Sequence, residues 1–162
     1  MTEPQPQLPP TTALVEDHAL HATTDKWFEY VVKAHPHHTD YGGIVWHGAY
    51  VTWMEEARVE CLQSIGINFT ELVRLGCDLP VVELSMRYHR SLKMGQGAVV
   101  KTRMMEMKGV RIDWAYQIQN LDTNELCVSA LVTLVAIDRD NGKILRRLPP
   151  AVQEALVKLS RP

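Results

Sequence analysis

The sequence has few cysteines, no long apolar run and little net charge. Its three cysteines, Cys61, Cys77 and Cys127, are an odd number and lie far apart, so we expect buried thiols in a reducing compartment and no disulfide framework. No apolar run approaches the ~20 residues that a membrane-spanning helix needs. The first residues carry neither the basic nor the apolar region of a secretory signal. These absences predict a cytoplasmic protein without a membrane span.

The charge balance excludes a global electrostatic attraction to nucleic acid. The 162 residues carry 17 Lys and Arg against 19 Asp and Glu, a formal net charge of −2, whereas a nucleic-acid-binding domain usually carries a basic excess. With 46% apolar residues, a chain of this length can bury the core of one domain. We expect residues 1–24 to form an N-terminal extension, disordered in its proline-rich first part, and residues 25–162 to form the folded domain.

Hydrophobic periodicity predicts an α+β domain. A 3.6-residue period indicates one long helix, and alternating or continuous apolar patterns indicate the strands around it. The helix carries an apolar stripe that begins at Tyr50, with Glu55, Glu56 and Arg58 mostly off the stripe. The expected elements are a strand over Lys26–Lys33, the helix over Gly48–Ile65, a half-buried strand over Val82–Tyr88, strands over Ala98–Met107, Val110–Gln119 and Leu126–Ile137, and a final helix from Pro150 to Leu159.

One helix can cover only one face of such a sheet. The opposite face and the strand edges then need another cover, because exposed edges and apolar faces favour association. The simplest cover is a second copy of the chain in a symmetric dimer.

The segment from Thr39 to Arg58 carries the chemistry of interest. Asp40 lies in a glycine-containing loop that leads directly into the long helix. The start of a helix offers unpaired backbone N–H groups and the positive end of a dipole, which can bind an oxyanion. A carboxylate a few residues upstream is within reach of the same group, and this combination is suited to the hydrolysis of an acyl compound.

The residues of this segment resemble a known family. The pattern Asp40-x-x-Gly43-x-Val45-x-His47-x-x-Tyr50, followed on the helix by Glu55, Ala57 and Arg58, is similar to the signature of hotdog-fold acyl-CoA thioesterases, in particular the 4-hydroxybenzoyl-CoA thioesterase family. The segment Tyr88-x-x-x-Leu92-x-x-Gly95 and the pair Pro149-Pro150 also fit. The resemblance covers about Lys26 to Leu159. Gln96 departs from it, since many relatives have an acidic residue there, and we expect this change to affect a turn more than the chemistry.

The resemblance implies a hotdog fold, in which a curved antiparallel sheet of about five strands wraps a long central helix. It implies homodimers that often pair into homotetramers, with the active site at the dimer interface. Asp40 would act as nucleophile or general base, and the backbone N–H of His47 would bind the thioester oxygen. Gly43, Val45 and Tyr50 are assigned to substrate binding on the same grounds. No cofactor or metal is expected.

Several alternatives stay open for these residues. Asp40 could only cap a turn, since Asp before glycines commonly forms an Asx-turn. The His47 imidazole could serve as an acid or base, or only pack at the helix start. One of Glu55 and Glu56 could be catalytic, although solvent exposure or an ion pair with Arg58 or Arg87 is the simpler interpretation. Another candidate, the metal cluster His35, His37 and His38, lacks metal-ligand spacing, so we expect a solvated loop.

Basic residues on the strands and turns suggest how the substrate is held. Arg90, Lys93 and Arg111 are the candidates for binding the phosphates of coenzyme A through charge-assisted contacts, although a solvated basic face would give the same pattern. The sequence thus predicts an acyl-CoA thioesterase acting on an aromatic or a short- to medium-chain acyl group. The alternative is a hotdog module that binds an acyl group or acyl carrier without turning it over. The helical His/Asp or His/Glu pair of hotdog dehydratases is not found.

Overall fold

The structure is a computed structural model that describes residues 26–105 and 107–160. The predicted N-terminal extension, residues 1–24, lies outside the described residues. The elements are β1 (Phe28–Lys33), α1 (His47–Ser64), α2 (Phe69–Arg74), β2 (Cys77–Asp78), β3 (Val81–Tyr88), β4 (Gly97–Met104), β5 (Arg111–Asn120), β6 (Leu126–Val135), β7 (Ile137–Asp138) and α3 (Pro150–Ser160).

A five-stranded sheet in the order β1-β4-β5-β6-β3 forms the body of the domain, and every neighbouring pair is antiparallel. The long helix α1 packs against β4 and β1. The predicted α+β class and the hotdog arrangement of a long helix on a five-stranded sheet are confirmed. The two-residue strands β2 and β7 pair separately; they were not predicted, because two residues are too short to show an alternation.

Helix α1 buries one face against the sheet, as its stripe predicts. Its buried residues are Ala49, Tyr50, Trp53, Met54, Ala57, Arg58, Cys61 and Leu62. The prediction that Arg58 lies off this stripe is wrong, because the residue is only 5% exposed. Its Nη1 donates to the Tyr116 hydroxyl at 3.1 Å and its Nη2 pairs with Glu55. These partners compensate the burial of the charge, and burial in turn raises the pKa of Tyr116.

Strand β3 differs most from the prediction. It was expected to be half-buried, but six of its eight residues are exposed, including Val82 at 56% and Leu84 at 42%. The reason is its position, since β3 forms one edge of the sheet and none of the described residues covers its apolar side chains fully. The alternation in Val82–Tyr88 therefore marks a face that the described residues leave largely exposed, with Met86 packed against the core.

The remaining strands follow their sequence patterns closely. Strand β5 alternates strictly between buried and less buried residues, and β6 is largely buried on both faces. The ends differ from the predictions by a few residues: β4 ends at Met104, and Ala136 separates β6 from β7. All three cysteines are buried and free, as predicted, and burial raises the pKa of Cys61 to about 11. None of the helices in the described residues has both the length and the apolar character to cross a membrane.

Candidate active site

Asp40 begins a tight turn that fixes its carboxylate. Its backbone N–H donates to the Ile44 carbonyl at 2.8 Å, and the Gly43 N–H donates to the Asp40 carbonyl at 3.0 Å. The carboxylate oxygen Oδ1 accepts from the N–H groups of Gly42 at 2.8 Å and Ile44 at 3.1 Å, which is the Asx-turn named above as the alternative. The side chain of Asp40 is exposed in the single chain. Its second oxygen, Oδ2, has no hydrogen-bond partner among the described residues.

The turn is anchored to the body of the domain at three points. The Val45 N–H donates to the Leu92 carbonyl at 2.9 Å, and the Met94 N–H donates to the Gly43 carbonyl at 2.9 Å. The Trp46 N–H donates to the His38 carbonyl at 3.0 Å. Gly43 has φ +74°, a conformation that side chains with a Cβ rarely adopt. The Asp40 loop is therefore a fixed element and not a free surface loop.

Helix α1 begins immediately after this loop, at His47. Trp46 stands at the N-cap position, where its indole cannot accept a hydrogen bond from the helix. The Ala49 N–H donates to the Trp46 carbonyl at 3.0 Å, whereas the N–H groups of His47 and Gly48 have no carbonyl partner among the described residues. These two amides and the helix dipole are therefore available to an anion. The Trp46 ring lies against Gly48 so closely that a Cβ at position 48 would overlap it. The half-exposed indole thus forms one wall beside these amides.

Two tyrosines pack next to the start of α1. Tyr50 is buried, and its hydroxyl accepts from the Leu92 N–H at 3.3 Å. Tyr88, at the end of β3, donates its hydroxyl to the His47 carbonyl at 3.0 Å. The centroids of the two rings are 5.7 Å apart and their planes are inclined by 65°. Burial raises the pKa of both hydroxyls. The sequence motif contains Tyr88, but only the contact with His47 identifies it as part of this region.

The other predicted substrate-binding residues separate into two groups. Val45 is buried like Tyr50, so these two side chains pack within the chain and hold the loop and the helix in place. Lys93 is exposed beside the loop, and Arg90 forms a 3.8 Å ion pair with Glu125 at the same end of the sheet. Gln96 has a turn role, since its side-chain oxygen accepts from the Lys93 N–H at 2.9 Å.

Arg111 lies at the opposite end of the sheet. Tyr88 is aligned with Val128 and Ile118 across β3, β6 and β5, and Arg111 is seven residues before Ile118, roughly 23 Å away along the strand. The guanidinium of Arg111 pairs with Glu83 at 2.7 Å and with Asp113 at 3.9 Å. Within one chain it does not join Arg90 and Lys93.

The three histidines before the loop contact one another. The ring centroids of His37 and His38 are 4.0 Å apart, and those of His38 and Trp53 are 5.2 Å apart in a T-shaped arrangement. The His38 Nδ1 accepts from the His35 N–H at 3.0 Å. Burial, followed by the neighbouring His37 and His35, lowers the pKa of His38. The described residues contain no group of three or more His, Cys, Asp and Glu that could hold a metal ion.

A cavity of about 650 Å³ lies at the other end of α1. Its walls include Trp27, Cys61, Ile65 and Lys158. Cys61 is 14 residues along the helix from His47, roughly 20 Å away. The cavity is therefore separate from the Asp40 loop.

Comparisons with known proteins identify the family to which the chain is similar. The family model of the Thioesterase-like superfamily matches residues 34–156. The Synechocystis protein named "Putative esterase sll0410" is 59% identical over 160 residues, 96% of each chain. The acyl-CoA thioesterase YbgC of Haemophilus influenzae is 31% identical over 115 residues, 69% of this chain and 81% of that protein. The crystal structure of DHNA-CoA thioesterase from Staphylococcus aureus superposes with a TM-score of 0.75 at 28% identity, covering 82% of this chain and 89% of that one.

Proposed function

The chain belongs to the Thioesterase-like superfamily and is a thioester hydrolase, and we propose that it cleaves acyl-CoA thioesters with Asp40 and the first amides of α1. The observation that carries this proposal is the arrangement of the Asp40 loop. Backbone N–H groups hold one oxygen of the carboxylate, the other oxygen is left for chemistry, and the loop is anchored where it passes into the helix. If the turn had only a structural role, there would be no reason for the N-cap residue of α1 to lack a side chain that accepts a hydrogen bond from the helix.

The chemistry uses each of these groups once. The thioester carbonyl oxygen is bound by the N–H of His47, which stabilises the negative charge that develops in the tetrahedral intermediate. A donor of this kind contributes about 10²–10³ in rate. Asp40 either attacks the carbonyl carbon, forming a mixed anhydride that water then hydrolyses, or removes a proton from an attacking water. In both routes the C–S bond breaks and the thiolate of coenzyme A leaves.

A second copy of the chain completes the site in this proposal. The exposed side chains of β3 and its open edge give two copies a natural place to pair. In an antiparallel, two-fold pairing of two β3 strands, the Val81 end of one strand lies beside the Tyr88 end of the other. Arg111, which reaches β3 through Glu83, would then approach the Asp40 loop of the other copy. Such pairing would also shield Asp40 from bulk water. Two of these dimers would associate into a tetramer.

The substrate is proposed to be a coenzyme A ester of an aromatic or a short- to medium-chain acid. YbgC of H. influenzae is named for acyl-CoA and the S. aureus structure for DHNA-CoA, which supports coenzyme A as the carrier. Lys93 and Arg90 would bind its phosphates. The loop and the helix start would be held in the position needed for substrate binding by Gly43, Val45 and Tyr50. We place the enzyme in the cytoplasm, where its three free thiols would stay reduced.

The test is the release of free thiol from a panel of acyl-CoA esters, measured with a thiol reagent, for the wild type and Asp40→Asn. We expect Asp40→Asn to lower kcat/KM by at least about 10²-fold while the melting temperature is unchanged. Asp138→Asn is the matched control, because Asp138 Oδ1 also accepts two backbone N–H groups in a turn, at 2.9 and 3.1 Å. Wild-type hydrolysis by Asp40→Asn would refute the mechanism. Acyl-CoA binding without thiol release by the wild type would favour the non-catalytic module.

A further inference from the structure

We propose that Tyr88 is a positioning residue, whose hydroxyl holds the peptide group between His47 and Gly48, and with it the adjoining His47 N–H, in the orientation needed to bind the thioester oxygen. This inference rests on the proposed function, because it concerns the amides that function assigns to the oxyanion. It adds a residue on the edge strand β3 to a site otherwise built from the Asp40 loop and the helix.

Tyr88 contacts the backbone of the first helical residue. Its hydroxyl donates to the His47 carbonyl at 3.0 Å, and this carbonyl belongs to the same peptide group as the Gly48 N–H. The bond fixes the plane of that peptide and, through it, the direction of the neighbouring His47 N–H. A hydrogen bond accepted by this carbonyl also polarises its own amide, which makes the Gly48 N–H, beside the His47 N–H, a stronger donor. Tyr88 therefore acts on the amides from the side opposite to the substrate.

The hydroxyl is the part of Tyr88 that makes this connection. The residue is 49% exposed at the end of an edge strand, so its ring contributes little to the core of the single chain. The centroid of the Tyr50 ring lies 5.7 Å from that of Tyr88, with the ring planes 65° apart, and this contact orients the Tyr88 ring. A phenylalanine at this position could keep the ring contact and would lose the bond to the helix, together with the long 3.8 Å contact between the hydroxyl and Met86 Sδ on the same strand.

The same pair of tyrosines joins the two halves of the proposed catalytic apparatus. The Tyr50 hydroxyl accepts from the Leu92 N–H at 3.3 Å, and the Leu92 carbonyl accepts from the Val45 N–H at 2.9 Å. Val45 follows Ile44, whose N–H holds the Asp40 carboxylate. The Asp40 loop and the helix start are thus connected through Leu92 and the two rings, in addition to the direct chain link. Loss of the Tyr88 hydroxyl would loosen the helix side of this connection.

The first experiment compares Tyr88→Phe with Tyr30→Phe. Tyr30 is the matched control, because its hydroxyl donates to Glu56 of the same helix at 3.4 Å from β1, the other edge strand. We expect Tyr88→Phe to lower kcat about 2- to 10-fold, the range that one hydrogen bond contributes, with KM, dimer content and melting temperature unchanged. Tyr30→Phe should leave kcat unchanged. Equal kcat values for Tyr88→Phe and the wild type would overturn the proposal.

A spectroscopic measurement separates positioning from a general structural effect. Benzoyl-CoA is bound to Asp40→Asn, and the stretching frequency of its thioester carbonyl is measured by infrared difference spectroscopy. We expect a shift to lower frequency on binding, and a smaller shift in Asp40→Asn combined with Tyr88→Phe. Equal shifts in the two proteins would overturn the role of Tyr88. If the shifts are equal and Asp40→Asn is inactive, the proposed function stands without a role for Tyr88. Wild-type activity of Asp40→Asn would refute the proposed function itself.

Discussion

Replacement of Gly43 by alanine tests whether the shape of the Asp40 loop is needed for activity. Gly43 adopts φ +74°, and a Cβ built on it meets no atom within 4 Å. The substitution therefore creates no steric clash with the described part of the chain. Its cost comes from the backbone alone, since a residue with a Cβ is unfavourable in the left-handed region.

The magnitude follows from that single effect. The left-handed conformation costs a residue with a Cβ about 1–2 kcal/mol. For a protein of this size each kcal/mol lowers the melting temperature by about 2–4 °C, so Gly43→Ala should melt about 2–8 °C below the wild type. If the loop instead relaxes to avoid the strain, the 3.0 Å bond from the Gly43 N–H to the Asp40 carbonyl is lost and the carboxylate moves. We expect this relaxation to occur, so kcat/KM should fall by about 10-fold or more because the carboxylate is displaced.

Gly142 provides the matched control. It has φ +67°, a Cβ there would also meet nothing within 4 Å, and its N–H donates to the Asp138 carbonyl at 2.8 Å. Gly142→Ala should therefore lose similar stability in calorimetry and keep wild-type thioester hydrolysis. Gly43→Asn should recover part of the loss, because Asn tolerates this conformation better. The reasoning is refuted if Gly43→Ala keeps wild-type activity, or if Gly142→Ala loses as much activity as Gly43→Ala.

Two further predictions concern substrate binding and the core. Lys93→Ala should raise KM for acyl-CoA without changing kcat, and the rise should be smaller at high salt. The KM for an N-acetylcysteamine thioester, which lacks the phosphates, should not change. An equal rise in KM for both substrates would exclude a phosphate contact. Tyr116→Phe removes the 3.1 Å acceptor of the buried Arg58, so the free energy of unfolding should fall by about 1.5–3 kcal/mol in urea denaturation. A loss below about 0.5 kcal/mol would show that Glu55 alone satisfies Arg58.

The sequence predicted those elements whose burial is decided within one chain. The stripe of α1 and the alternation of β5 are confirmed, because each pattern reflects a face that packs against the sheet or the helix of the same domain. The prediction for β3 was wrong because an alternating pattern reports that a face is apolar, not what covers it. The prediction for Arg58 was wrong because a charged residue can lie on a buried face when partners from distant positions, here Tyr116, reach it.

The sequence alone determined the fold class, the family and the loop on which the candidate site is built, because these depend on periodicity and on residues close together along the chain. Only the tertiary structure decided that Tyr88 reaches the first peptide of α1 and that Arg111 lies at the far end of the sheet from Arg90. Those relations depend on strand order and register, which bring residues about forty positions apart into contact and separate others that are closer in sequence. The spacing of residues in the sequence does not predict these contacts and separations.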